Sequence, residues 1–329
     1  MKTSAFKALL VLTSLTIVVL HWPQVAEGSE EIANSTIIEV RQYMAQAAIE
    51  MEPVRREAMS EMKHHGVVVR KDIIYRVDPN IDPVRNILDL YLPLADAAKP
   101  RARPIVLYVH GGAWVAGSKE QALFKPLAFV SNGFVFASMN YPLIPEASLL
   151  EMAQGIAESV GWLVRNATDF GGDPTKIFLL GHSAGAHLVS LLGTNESFLE
   201  RAGVPLTSLL GVISLDTVAY NLPTLIDSAN GSFQKQIFKG NEAFFETVSP
   251  WHHVSQRLTT PPFLIFYSEG RIDALSQTIP FGEHLRSAGQ EAVVLEAKGR
   301  NHEALDTKLG MRGDKVTALI QEFLHRHSL

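Results

Sequence analysis

The sequence contains no cysteine. That excludes disulfide bonds, zinc–thiolate centres and a thiol nucleophile. It also removes the residue that a bacterial lipid anchor would need. An exported chain without disulfides must rest on its apolar core. With 329 residues and 47% hydrophobic content, this one has the material for that. Long apolar runs are also missing. The one candidate, residues 8–20, is of signal-peptide length and too short for a membrane span. There is no basic run or stripe, and the net charge is only −5, so nucleic acid is not an expected partner. No repeat at a solenoid period is visible.

The N-terminus reads as a leader. Lys2 and Lys7 precede the apolar run, and Ala26 and Gly28 occupy the −3 and −1 positions of a small-x-small site. We expect residues 1–28 to be a signal peptide cleaved after Gly28. The mature chain would then be secreted or periplasmic, with no stable membrane insertion. Asn34, Asn166, Asn195 and Asn230 begin glycosylation sequons, which matter only in a source that glycosylates.

Residues 35–63 carry Ile37, Ile38, Val40, Met44, Ala47, Ala48 and Met51 at helical spacings. Pro53 is expected to break or restart that helix. We assign residues 29–65 to an N-terminal helical cap segment and residues 66–329 to one catalytic domain. Within that domain, runs at 67–77, 87–94, 104–110, 134–141, 176–181, 209–215, 262–267 and 292–297 read as strands. The first two should form an antiparallel pair. Helical patterns fall between the later strands, including 150–166 and a closing helix at 314–325. Eight strands so arranged predict an α/β fold with a mostly parallel sheet covered on both faces. Residues 217–254 interrupt the rhythm and hold Phe233, Phe238, Phe244, Phe245 and Trp251. We read this stretch as a cap insertion over a pocket.

The most informative stretch is Gly181-His182-Ser183-Ala184-Gly185. It follows an apolar run and opens a helical one, the context of a nucleophile elbow. A serine on so sharp a turn needs small neighbours, which Gly181 and Gly185 supply. Acyl transfer at Ser183 then needs a base, an acid to orient it, and donors for the oxyanion. His302 follows the last strand and is the expected base. Asp273, after the strand at 262–267, is the expected acid. That gives the chain order Ser183, Asp273, His302; Asp216, which ends the preceding strand, and Glu269, on the same loop as Asp273, are its rivals. His110-Gly111-Gly112-Ala113-Trp114 follows a buried strand. The N–H groups of Gly111 and Gly112, with that of Ala184, are the expected oxyanion donors. Trp114 and His182 are expected at the substrate pocket.

Gly-His-Ser-Ala-Gly-Ala-His-Leu at 181–188 and His-Gly-Gly-Ala-Trp at 110–114 resemble the α/β-hydrolase superfamily. The branch is that of carboxylesterases with a His-Gly-Gly oxyanion motif, and the group is that of bacterial feruloyl/acetyl-xylan esterases and arylformamidase-like hydrolases. Asn140-Tyr141-Pro142-Leu143 and Ser249-Pro250 add to the likeness. The hormone-sensitive-lipase-like cousins carry Asp where His182 stands and Asp-Tyr-Arg-Leu where Asn140-Tyr141-Pro142-Leu143 stands. The resemblance covers roughly residues 66–327. It implies a serine esterase acting on a small-molecule ester through an acyl-enzyme, with no metal or organic cofactor. An arylformamidase-like amidase and a non-catalytic ligand-binding homologue stay open as alternatives. If His302 is the base, activity should fall on acidification as its imidazole charges.

Overall fold

The computed structural model describes residues 30–94, 102–228, 231–238, 240–255 and 260–329. The expected signal peptide and its cleavage site lie outside these residues. Helix α1 (Glu30–His64) leads into strands β1 (Val67–Ile74), β2 (Ile87–Pro93) and β3 (Arg103–Val109). Helix α2 (Lys125–Val130), strand β4 (Val135–Met139), helix α3 (Leu149–Asn166) and strand β5 (Gly172–His182) follow. Strand β5 ends in the elbow and helix α4 (Ala184–Thr194), which α5 (Ser197–Arg201) and β6 (Leu209–Leu215) succeed. The interrupting stretch holds three short helices, α6 (Leu222–Ile226), α7 (Ser232–Ile237) and α8 (Glu242–Thr247). The chain closes with β7 (Phe263–Ser268), α9 (Ile272–Ser287), β8 (Ala292–Ala297), α10 (His302–Thr307) and α11 (Lys315–Ser328).

The eight strands form one sheet in the order β1-β2-β4-β3-β5-β6-β7-β8. β2 runs antiparallel to both β1 and β4, and every other pair is parallel. The central strands are apolar at successive positions because both faces of the sheet are covered. Ile105 to Val109 and Ile177 to Leu180 are all fully buried. Helix α3 starts where a capping box permits. Ser148 Oγ accepts from the Glu151 N–H, and the Glu151 carboxylate accepts from the Ser148 N–H at 2.7 Å.

Two expectations about the helices change. Pro53 does not break α1, which is continuous from Glu30 to His64. The proline and Ile49, whose carbonyl loses its donor, both lie on the exposed side, where water can replace the missing bond. Val54, Ala58 and Met62 are buried beyond the proline as Ile37 and Val40 are before it, so both halves are anchored. Each such large side chain contributes about 1.5–3 kcal/mol on burial. α1 packs on β1, α2 and α7. Arg41 fixes it further, donating to the carbonyls of Val115 and Ile144 at 2.9 Å and pairing with Glu146.

The stretch 217–254 is a packed excursion. Phe233, Phe238 and Phe245 join the same buried cluster as the sheet residues, and no described residue of the stretch lines the cavity described below. Its aromatic content serves the core.

Local geometry at the elbow matches the glycine argument. A Cβ on Gly181 would stand 2.4 Å from the Gly185 carbonyl oxygen, and one on Gly185 would stand 2.1 Å from that of Val109. Both obstacles are backbone and cannot rotate away. Gly185→Ala is therefore expected to destabilise the fold by about 3 kcal/mol or more, read as a lower urea midpoint. An unchanged midpoint would contradict this account of the turn.

Candidate active site

Ser183 sits between β5 and α4 with φ 54° and ψ −116°. That is strained for a residue with a Cβ. The Ser183 N–H donates to the Leu215 carbonyl at 2.8 Å, which ties the elbow to β6. The hydroxyl donates to His302 Nε2 at 3.0 Å. His302 begins α10, where Asn301 caps the helix by accepting from the Ala304 N–H. Its Nδ1–H donates to Asp216 Oδ2 at 2.7 Å.

The acid in contact with His302 is thus Asp216, and the expectation for Asp273 is corrected. β6 is the direct neighbour of the elbow strand, so a residue at its carboxyl end lies closer than one beyond β7. Asp273 instead falls in the first turn of α9, and its carboxylate is held by Arg271 at 3.2 Å. Glu269 accepts from the Gly299 N–H at 3.1 Å, linking the loop after β7 to the loop that carries His302.

Asp216 is fully buried and richly bonded. Ser268 donates to it from its backbone N–H at 3.0 Å and from its hydroxyl at 2.6 Å. Arg271 Nη1 donates to Oδ2 at 2.9 Å. Burial alone would raise this carboxyl's pKa. The Arg271 guanidinium and the His302 hydrogen bond outweigh it and hold the pKa well below the usual carboxylate range. Arg271 Nη1 also lies 2.6 Å from His302 Nδ1, so guanidinium and imidazole crowd onto one carboxylate oxygen. The bridge of Arg271 between Asp216 and Asp273 depends on two loops meeting.

Gly111 and Gly112 lie against the elbow. A Cβ on Gly111 would be 2.9 Å from His182 Nδ1 and 3.2 Å from Ser183 Cβ. Gly112 has φ 129°, and a Cβ there would strike the Ala116 carbonyl at 2.2 Å. Ala184 starts α4 directly after the nucleophile and is buried. The three residues expected to supply oxyanion donors therefore flank Ser183 on two sides.

A cavity of about 710 Å³ opens over the site, lined by Ser183, His302, Gly111, Gly112 and His182. Its outer wall is α1, through Met44, Ala47, Ile49 and Met51 among others. The cover is the N-terminal helix rather than the 217–254 excursion. His182 lines the cavity as expected, and its Nε2–H donates to the His302 carbonyl at 2.9 Å. Trp114 does not line it. Its indole N–H donates to His187 Nδ1 at 3.1 Å, and its ring packs edge-on against Phe238 at 4.9 Å. Positive φ at Ala113 and Trp114 turns the chain so that the indole enters the core behind the oxyanion loop. Among the described residues, no group of three His, Asp or Glu side chains is close enough to hold a metal ion.

His110, His182 and His187 are buried close to the site, and burial lowers the pKa of each from 6.5 to about 4. His187 shows why. Its Nε2–H donates to the Val248 carbonyl at 2.7 Å, and its Nδ1 accepts from Trp114, so a second proton would face an N–H. Above pH 6.5 these rings are neutral in both folded and unfolded chains. Between pH 6.5 and 4 the unfolded chain takes up protons that the folded one refuses. Stability should fall across that window, by up to about 1.4 kcal/mol per pH unit for each ring. Urea unfolding at pH 7.5 and 5.0 measures the loss; equal stabilities would refute it.

The family described as BD-FAE matches residues 88–275. The chain belongs to the BD-FAE family. This BD-FAE chain is 27% identical over 262 residues to the isoprenylcysteine alpha-carbonyl methylesterase ICME of Arabidopsis thaliana, covering 75% of the present chain and 59% of the relative. It is 27% identical over 253 residues to the esterase LipQ of Mycobacterium tuberculosis (strain ATCC 25618 / H37Rv), covering 73% and 59%. The chain thus spans about three fifths of the length of these relatives. Among solved structures, esterase B from Lactobacillus rhamnosis superimposes with a TM-score of 0.72 at 19% identity, covering 91% of this chain and 96% of that one. Thermogutta terrifontis esterase 2, phosphoramylated by tabun, gives 0.61 at 23% identity over 79% and 94%. These likenesses establish the fold.

Proposed function

We propose that this protein is a serine-dependent carboxylic ester hydrolase acting on small to medium esters. The observation that carries the reading is the chain of contacts from Ser183 through His302 to Asp216, at 3.0 and 2.7 Å, opening onto the cavity. Ser183 Oγ attacks the ester carbonyl carbon as His302 Nε2 takes its proton. The carbonyl oxygen becomes an oxyanion facing the N–H groups of Gly111, Gly112 and Ala184. The carbon–alkoxy bond then breaks, and His302 protonates the departing alcohol. Water, deprotonated by His302, attacks the acyl-enzyme and releases the acid and free Ser183. Asp216 holds the imidazole with Nδ1 protonated, which leaves Nε2 free to accept. The ester-hydrolysing names of the relatives favour an ester over an amide substrate. The leader-like residues 1–28 support export to the periplasm or outside the cell. Among the described residues, no helix is long and apolar enough to cross a membrane.

The test is hydrolysis of a p-nitrophenyl ester series from acetate to long acyl chains, with formanilides in parallel and fluorophosphonate labelling of Ser183. Turnover of esters with labelling at Ser183 is expected. A folded protein that cleaves neither class and does not label would sink the proposal.

A further inference from the structure

The cavity contains charged residues that sequence reasoning did not place there, and all but one are engaged. Arg41 pairs with Glu146. Arg55 pairs with Glu52 and Glu120. Asp306 is bound by buried Lys125 at 2.9 Å and by the Tyr108 hydroxyl at 2.7 Å. Glu303 is engaged as well. Arg85 lines the same cavity, is half-buried, and has no carboxylate partner among the described residues.

The backbone under Arg85 is held rigidly. It lies in the 310 turn Pro83–Asn86, capped by Asp82, whose carboxylate accepts from the Val84 N–H at 3.0 Å. The Arg85 N–H donates to the Asp82 carbonyl at 2.8 Å. The Tyr75 hydroxyl contacts the carbonyls of Arg85 at 3.1 Å and Asn140 at 2.9 Å. Asn140 Nδ2 donates to the Val84 carbonyl at 2.7 Å. The next residue, Tyr141, donates its hydroxyl to the His110 carbonyl at 2.9 Å. Asn140 and Tyr141, the motif just past β4, therefore hold the turn of Arg85 and the start of the oxyanion loop together. The guanidinium is near enough to His110 for its charge to add to burial in disfavouring that ring's protonation. A guanidinium carried on a braced turn, in the cavity of the nucleophile and with no carboxylate partner among the described residues, is a ready site for an anion.

We propose that Arg85 is a specificity-determining residue that binds a carboxylate carried by the ester substrate, away from the reacting carbonyl. The proposal rests on the esterase reading of Ser183. The anion lies on either the acyl or the alcohol side, and two probe pairs separate these. The acyl pair is the mono-4-nitrophenyl ester of adipic acid and its terminal carboxamide. The alcohol pair is 4-acetoxybenzoate and 4-acetoxybenzamide.

In at least one pair the anionic member should have the higher kcat/KM by about tenfold or more, the scale of a charge-assisted hydrogen bond. Arg85→Met should bring that ratio, read within each pair on the same variant, to about one. Arg85→Lys should restore part of the preference. Wild-type ratios at or below one in both pairs, or a preference that survives in Arg85→Met, would overturn the proposal. If folded wild type cleaves no ester and does not label at Ser183, the esterase reading fails separately. Calorimetric titration with adipate and with benzoate then decides on Arg85. Binding of either that weakens at least about tenfold in Arg85→Met supports the site, and absent or unaltered binding of both rejects it.

Discussion

Ser183→Ala is expected to lower kcat for a p-nitrophenyl ester by about 10⁶-fold, with the fold retained. The substitution removes one oxygen and nothing else. Alanine keeps the Cβ, so it meets the same strain at φ 54° that serine already bears. The contacts of His302 with Asp216 and of His182 with the His302 carbonyl do not involve that oxygen. What remains is the oxyanion loop and the cavity, which can bind an ester and polarise it but cannot form an acyl-enzyme. The checks are steady-state kinetics on freshly purified variant and loss of fluorophosphonate labelling. Residual activity above about 1% of wild type would mean that another group is the nucleophile.

The second large effect separates two aspartates that the chain order treats alike. Asp216→Asn should reduce kcat by about 10⁴-fold, because an amide can present its NH₂ to Nδ1 and favour the wrong imidazole tautomer. It also leaves Arg271 beside a neutral group in a buried setting, so some loss of stability accompanies it. Asp273→Asn should reduce kcat by no more than about tenfold, since that carboxylate reaches His302 only through Arg271. Its cost should appear instead in the urea midpoint, at about 1–3 kcal/mol for a weakened buried contact. The comparison is made at one pH on both variants. The reverse ranking would return Asp273 to the role of acid.

These two aspartates mark where sequence reasoning stops. Ser183 was legible because a nucleophile elbow is a local device. Strand, tight turn and helix are consecutive, and the glycines that permit the turn are within two residues of the serine. Gly111 and Gly112 were legible for the same reason. His302 could be placed because a residue just past the last strand falls at the carboxyl edge of the sheet. Asp216 and Asp273 both follow strands and both lie between the serine and the histidine. Only the lateral strand order, with β6 beside β5, brings one of them to the imidazole.

The same distinction runs through the rest of the molecule. The amino-acid pattern by itself determined the α/β alternation, the fully apolar central strands and the strained serine. Each follows from periodicity or from sterics within a few residues. Residues 29–65 read as a cap segment in the sequence, and α1 lines the cavity; tertiary structure decided that the described residues of 217–254 do not. The aromatic residues of 217–254 looked like a lid and became core, because burial draws on apolar area wherever the chain supplies it. α1 packs on β1, α2 and α7 and still presents Met44, Ala47, Ile49 and Met51 to the cavity of Ser183. Arg85 gained its setting in the same way, from a turn and a strand end more than fifty residues apart, held together by Tyr75 and Asn140. Such pairings depend on which distant segments meet, and no local spacing encodes that.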